Sequence, residues 1–199
     1  FGFLNAFWAT VFLFLIAGYR DSFVFSLESL PTFTLRAALE VTLLFVSLNA
    51  VLIADRSTFA FLRTLTIPLL LGVDIVLGYV ITLPQMVGIA LMIAAFVVLS
   101  MNHGLSRRGK MLTVLSALLP VATLSLYKYN ITYFNSVEAE QALQHVVLLL
   151  ALLIIARIRT GENLFVHLWN REYLAQALSA GAASVFMSYA YLFAPASIV

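Results

Sequence analysis

The chain has no cysteine. Disulfides, thiolate metal sites and thiol nucleophiles are therefore excluded. Charge is scarce as well. Only 10% of residues are Asp, Glu, Lys or Arg, where ordinary globular chains carry about 25%. The net charge of +2 is too small to draw a nucleic acid, and the pI near 9.1 reflects how few acids there are. The three histidines, His103, His145 and His167, are too scattered for a zinc site. There is no His-Glu-x-x-His, no Gly-x-Ser-x-Gly and no P-loop. Neither an enzyme nor a cofactor is expected. No polar stretch is long enough to form a separate soluble domain, and no basic segment marks the first apolar block as a signal peptide.

What the chain has is apolar surface. Hydrophobic residues make up 63% of it, and the mean hydropathy is +1.04. Soluble domains carry about 45–50% apolar residues, so the excess has to face lipid. The apolar residues fall into seven blocks, at 1–18, 34–54, 58–79, 84–101, 111–129, 139–157 and 173–194. A helix needs about 20 apolar residues to cross the hydrocarbon core. Nothing alternates with period two, and open backbone cannot face lipid. The blocks predict an all-α membrane protein, a multi-span helical bundle in the cell (plasma or inner) membrane. The first residue is Phe1 rather than Met and Val199 ends inside an apolar run, so the chain reads as a fragment of a longer protein.

Short polar connections separate the blocks, among them Arg20-Asp21-Ser22, Asp55-Arg56-Ser57, His103 to Lys110 and Arg157 to Arg171. Ala180, Ser184 and Ser188 recur every four residues in the seventh block, and Ala90 and Ala94 do so in the fourth. Stripes of small residues let helix backbones approach closely in lipid. Pro68 and Pro120 fall within the third and fifth blocks, where each is expected to free a carbonyl and bend its helix.

A shift of 140 positions lays 1–18 on 141–158 and 34–54 on 174–194, with Ala54 on Ala194 and Ser57 on Ser197. One repeat would then hold five helices. Five is odd, so the second copy enters the membrane from the opposite side. This is the five-plus-five inverted repeat of many secondary transporters.

Gly78-Tyr79-Val80-Ile81-Thr82-Leu83-Pro84-Gln85-Met86-Val87-Gly88, followed by the apolar run Ile89 to Ser100, resembles the drug/metabolite transporter superfamily in its EamA-type domain. Gly78, Gln85 and Gly88 stand at the spacing of that domain's Gly, Gln and Gly. The end of the chain, with Ala194-Pro195-Ala196-Ser197, is similar to the helix end before that family's next proline-bearing helix. The family's usual Glu after the first Gly is Tyr79 here, so no role for that Glu carries over. The resemblance covers helices two to eight of ten. It implies a first half at 1–101 lacking its first helix, a linker at 102–110, and a second half at 111–199 lacking its last two helices. It also implies a carrier of small metabolites without an ATPase domain.

An ionisable group inside lipid costs about 2.5–3.5 kcal/mol on insertion scales, so it needs a partner or a cavity. Glu40 has Arg36 four residues before it on the same helix face, as an interfacial ion pair or a cavity-facing pair. Asp74 lies inside the third block and is a candidate to line a polar cavity. Under the shift of 140, Asn5 falls on His145 and Asn49 on Tyr189, so these positions are polar in both halves. They serve either as helix–helix hydrogen bonds or as substrate contacts. His145 shares a face with Glu138 and Gln141, and its neutral-range chemistry suits a proton relay. Tyr127, Lys128, Tyr129, Tyr133 and Phe134 read as an aromatic belt with a snorkelling lysine, or Lys128 reaches an anionic substrate. The expected function is a secondary transporter, permease or exporter, of a small polar metabolite, with protons as the candidate coupling ion. Its partners are that solute and membrane lipid. The rival is a non-transporting membrane subunit or lipid-interacting scaffold.

Orientation is not settled by counting. Arg56, Arg107, Arg108, Lys110, Arg157, Arg159 and Arg171 lie on one side of the membrane, and Arg20, Arg36 and Lys128 on the other. The positive-inside rule puts the first group in the cytoplasm. The family frame puts it outside.

Overall fold

The computed structural model describes residues 2–53, 59, 63–76, 78, 82–102, 110–159, 161 and 163–194. Ala54, Arg56, Ser57, Tyr79, Val80, Ile81, His103, Arg107, Arg108, Pro195, Ala196 and Ser197, singled out above, lie outside the described residues, as does most of the 102–110 linker. Among the described residues there are seven α-helices and no strand. They are α1 (Gly2–Arg20), α2 (Leu30–Ile53), α3 (Thr66–Val76), α4 (Leu83–Asn102), α5 (Lys110–Tyr133), α6 (Val137–Arg159) and α7 (Arg171–Phe193). Two 3-10 turns, Leu27–Ser29 and Leu164–His167, precede α2 and α7.

Among the described residues, four segments are long and apolar enough to cross a membrane: Gly2–Arg20, Leu27–Ile53, Met111–Tyr133 and Val137–Arg159. Thr66–Ile75 and Leu83–Ala95 are shorter apolar helices. α7 has the length but is rich in Ala, Gly and Ser, and it is not one of the four.

Local chemistry sets the helix ends. α1 closes with Asp21 in the left-handed region at φ 49°, where the Ser22 N–H reaches back to the Ala17 carbonyl at 3.2 Å. Asp is among the few non-glycine residues that tolerate this conformation. Pro31 sits in the first turn of α2, where its missing N–H costs nothing. The Ser136 hydroxyl accepts from the Ala139 N–H at 3.2 Å at the start of α6. Glu138 and Glu140 occupy the first turn of that helix and Arg157 and Arg159 the last, each sign complementing the helix dipole. Gly161, at φ +69°, lets the chain turn out of α6 while its N–H bonds the Ala156 carbonyl at 3.1 Å. The Asn170 side chain caps α7 by accepting from the Glu172 N–H at 3.1 Å.

Pro68 does not sit mid-helix as expected. The chain turns at Thr64 and Leu65, and α3 starts at Thr66. The Thr64 carbonyl that Pro68 would orphan accepts from the Ile67 N–H instead, at 3.2 Å. A proline near a helix start is tolerated where one in the interior is not. Pro120 does lie inside α5.

The chain divides into two compact units. One comprises 1–41 with 126–194, and the other 42–125 with 195–199. In the first unit α1 is the central element and packs on α6 and α7. Leu13 meets Ala142, while Phe3 and Leu4 lie near Leu149, Leu152 and Leu153, so α1 and α6 run antiparallel. α1 and α7 run parallel and approach most closely at Gly181. A Cβ there would stand 3.0 Å from the Ala9 nitrogen and 3.1 Å from the Trp8 Cβ. The buried stripe of α7 is therefore Ala177, Gly181, Val185 and Ser188. Of the expected stripe, Ser188 belongs to it, while Ala180 and Ser184 stand one position before Gly181 and Val185.

In the second unit, Thr66 donates its hydroxyl to the Ala117 carbonyl at 3.0 Å, which ties α3 to α5. Thr64, Leu65, Pro68, Leu69, Met92 and Ile93 line a shallow apolar crevice of about 200 Å³. Ala90 and Ala94 are exposed on α4.

Candidate functional site

The polar residues of the first unit gather where α1, α5 and α7 end and α2 and α6 begin. Their centre is an ion pair. Arg36 of α2 donates from Nη1 to Glu140 Oε1 of α6 at 2.7 Å, with both side chains almost wholly buried (3% and 0% exposed). Its Nη2 donates to Gln141 Oε1 at 3.0 Å, and its guanidinium lies 4.5 Å from the centre of the Tyr127 ring. Three kinds of contact thus hold one cation: carboxylate, amide and aromatic face.

Glu140 is saturated in turn. Asn130 donates to its Oε1 at 2.9 Å, and Asn135 to its Oε2 at 2.6 Å. The Thr32 hydroxyl donates to Asn130 Oδ1 at 2.6 Å. Asn135 donates to the Ser29 hydroxyl at 2.9 Å and accepts from the Ser26 N–H at 2.8 Å. The network ties the start of α2 to the end of α5 and the start of α6.

A second cluster lies beside it. Glu138 accepts from the Ser22 hydroxyl at 2.7 Å and from the Tyr189 hydroxyl at 2.6 Å, with Arg20 Nη1 at 3.7 Å. The Arg20 guanidinium also lies 5.8 Å from the Tyr189 ring centre. Nearby, the Tyr127 hydroxyl donates to the Ser188 carbonyl at 2.8 Å. Lys128 donates to the Tyr191 carbonyl, and to the Ala194 carbonyl at 3.3 Å. A lysine at the carboxyl end of a helix satisfies carbonyls that the helix leaves open.

α6 continues this polar face inward. Gln144 lies one turn beyond Glu140, and His145 one turn beyond Gln141. Gln144 is fully buried, and neither its Oε1 nor its Nε2 has a hydrogen-bond partner. Arg36 Nε and His145 Nδ1 are also buried and unpartnered, and Arg36 is the charged neighbour of His145. Asn5 Oδ1 and Trp8 Nε1, on α1, are in the same condition. Leaving a buried polar group unsatisfied costs about 1–3 kcal/mol. The first turn of the α6 face is thus saturated and the second is not.

The residues expected from sequence are dispersed. His145 and Asn5 lie in the first unit as described, and Tyr189 belongs to the Glu138 cluster. Glu40 is half-buried on α2. The ion pair of its neighbour Arg36 reaches across to Glu140 of another helix. Asn49 and Asp74 belong to the second unit. Asn49 donates to the Phe45 carbonyl of its own helix at 2.7 Å, and Asp74 is fully buried in α3. The aromatic-belt reading fails for Tyr127 and Lys128, which are buried at 0% and 5% exposure. It fits Tyr129 and Tyr133, which are exposed and meet each other at a tilt and Phe134 edge-on. Glu140, Asn130, Asn135 and Gln144 were not singled out from sequence. The available signal was Glu140, Gln141, Gln144 and His145 at helical spacing in an otherwise apolar helix. Among the described residues no three His, Asp or Glu side chains converge as a metal ion would require. No protein-family model matches the chain, and no curated protein matches it.

Proposed function

We propose that the chain is part of a secondary transporter, a permease or exporter that moves a small polar metabolite by alternating access. The observation that carries this reading is the buried Arg36–Glu140 pair, with the unsatisfied Gln144 next to it. Burying two charges costs several kcal/mol each, and well-packed apolar side chains of similar volume are often as stable or more so. A helix that only had to pack in lipid has no need of Glu140, Gln141, Gln144 and His145 on one face. Charged and polar side chains inside membrane helices mark solute or proton paths. The antiparallel run of α1 and α6 supports the five-plus-five inverted repeat, since the shift of 140 pairs these two helices. The likeness of 78–100 to the EamA-type domain favours the same class of carrier. Protons are the candidate coupling ion.

The test uses the full-length protein in proteoliposomes exposed to a labelled mixture of small metabolites, with the retained solutes then identified. Wild type is expected to accumulate at least one polar solute. Gln144→Leu removes an unsatisfied amide, which by itself is neutral or stabilising. Its transport is nevertheless expected to fall by at least about tenfold, the equivalent of one lost hydrogen bond of about 1.4 kcal/mol at the solute. A wild-type protein that moves nothing would leave the scaffold reading standing. Unchanged transport in Gln144→Leu would move the solute site elsewhere.

A further inference from the structure

We propose that the segment between α6 and α7 is a lipid-headgroup anchor that seats in the interfacial layer and prefers anionic phospholipid. α6 is apolar enough to cross a membrane and ends at Arg159, so the chain after it emerges at the membrane surface. The segment does not leave that surface. Leu164 and Leu168 fold back onto Phe3, Leu4 and Ala177. Phe165 packs edge-on against Phe3 at 5.3 Å, and Trp169 against Trp8 at 5.9 Å. The Leu164–His167 turn is thus fastened to the bundle by its inner side.

The rest is apolar and exposed, the rings of Phe165 and Trp169 touching the bundle only in part. Phe165, Val166 and Trp169 are 47%, 73% and 75% exposed. Three large apolar side chains on a short turn at the end of a spanning helix suit the layer where aromatic rings sit between headgroups and acyl chains. Arg157, Arg159 and Arg171 flank them and are exposed. Guanidinium groups match phosphate geometry bidentately.

Charge sets the size of the effect. The stretch 157–172 carries three arginines against Glu162 and Glu172, a net of +1 with His167 neutral. One net positive charge near an anionic surface corresponds to about a fivefold preference, so a modest selectivity is expected. The anchor does not depend on whether the protein transports anything.

The experiment places this chain with Trp8→Phe, which leaves Trp169 as the only tryptophan among residues 1–199, in bilayers. Quenching of Trp169 is compared between brominated phosphatidylglycerol and brominated phosphatidylcholine at equal mole fraction. Both lipids should quench, the anionic one with an apparent affinity about 3- to 5-fold higher, and added salt should erase the difference. Replacing Arg157, Arg159 and Arg171 by Gln makes the net charge negative. That variant should still be quenched but should favour phosphatidylcholine. Absence of quenching by either lipid would mean that the apolar side faces water or a protein partner, and would overturn the anchor. Equal quenching at low salt, or a preference that the arginine replacements leave unchanged, would overturn the anionic selectivity. The salt series on the unreplaced chain decides the second point even if the triple variant fails to insert.

Discussion

At the scale of single residues, the first unit is organised by compensation. The Arg36 guanidinium has two of its nitrogens on Glu140 and Gln141, and Glu140 has both oxygens engaged. Removing one partner leaves a buried charge uncompensated, which costs about 3–5 kcal/mol, whereas removing both leaves none. Arg36→Met is therefore expected to lower the melting temperature of the detergent-solubilised protein more than the double replacement Arg36→Met with Glu140→Gln does. Thermal unfolding of the three proteins checks the order. A double variant no more stable than the single one would mean that Arg36 acts through its contact with the Tyr127 ring rather than through its charge.

At the scale of helices, close approach decides more than hydropathy. Gly181 lets α7 lie against the backbone of α1 at Ala9, and a methyl group there would meet main-chain atoms that cannot swing away. Gly181→Ala is expected to destabilise the protein by about 1–3 kcal/mol, the usual cost of overpacking. Gly18→Ala on α1 has open space around the new methyl. It should be neutral or stabilising by up to about 1 kcal/mol, from helix propensity. Unfolding of the two variants in the same detergent tests the contrast, and an equal response would remove the close α1–α7 contact from the account. These elements were only partly legible in the sequence. Apolar blocks located α1, α2, α4, α5, α6 and α7 well, because a helix that buries itself in lipid or against other helices needs a continuous apolar run. Pro68 displaced the start of α3, since a local turn competes with a continuing apolar run. The small-residue stripe of α7 was visible, but its register was set by the partner helix, which composition cannot reveal. The Arg36–Glu140 pair joins residues 104 apart in the chain, and no spacing rule links them. For the same reason Tyr127 and Lys128 read as interfacial in the sequence, whereas α7 covers both in the fold.

At the scale of the whole molecule, the connections constrain the topology. The segment after α1 bonds to the segment after α5: the Ser136 N–H reaches the Val24 carbonyl at 2.9 Å, and the Ser26 N–H reaches Asn135 Oδ1 at 2.8 Å. Both segments must lie on one side of the membrane. An even number of crossings therefore separates them, and α2 and α5, the two described helices between them that are long and apolar enough to cross, make such a pair. α6 runs antiparallel to α1 from that same side, so its far end and the turn after it belong to the opposite side. Because the chain has no cysteine, single introduced cysteines report this directly. Glu28, Tyr133 and Asn163 are exposed positions for them. With a membrane-impermeant maleimide added to one face of sealed vesicles, Glu28→Cys and Tyr133→Cys should label together, and Asn163→Cys only from the other face. Labelling of Asn163→Cys together with the first two would mean that α6 does not cross. The pairing of α1 with an oppositely directed α6, on which the inverted repeat rests, would then be lost, and with it the case for two halves that open in turn. Separate labelling of Glu28→Cys and Tyr133→Cys would instead place an odd number of crossings between α1 and the end of α5, and the hydrogen bonds between their connections could not form.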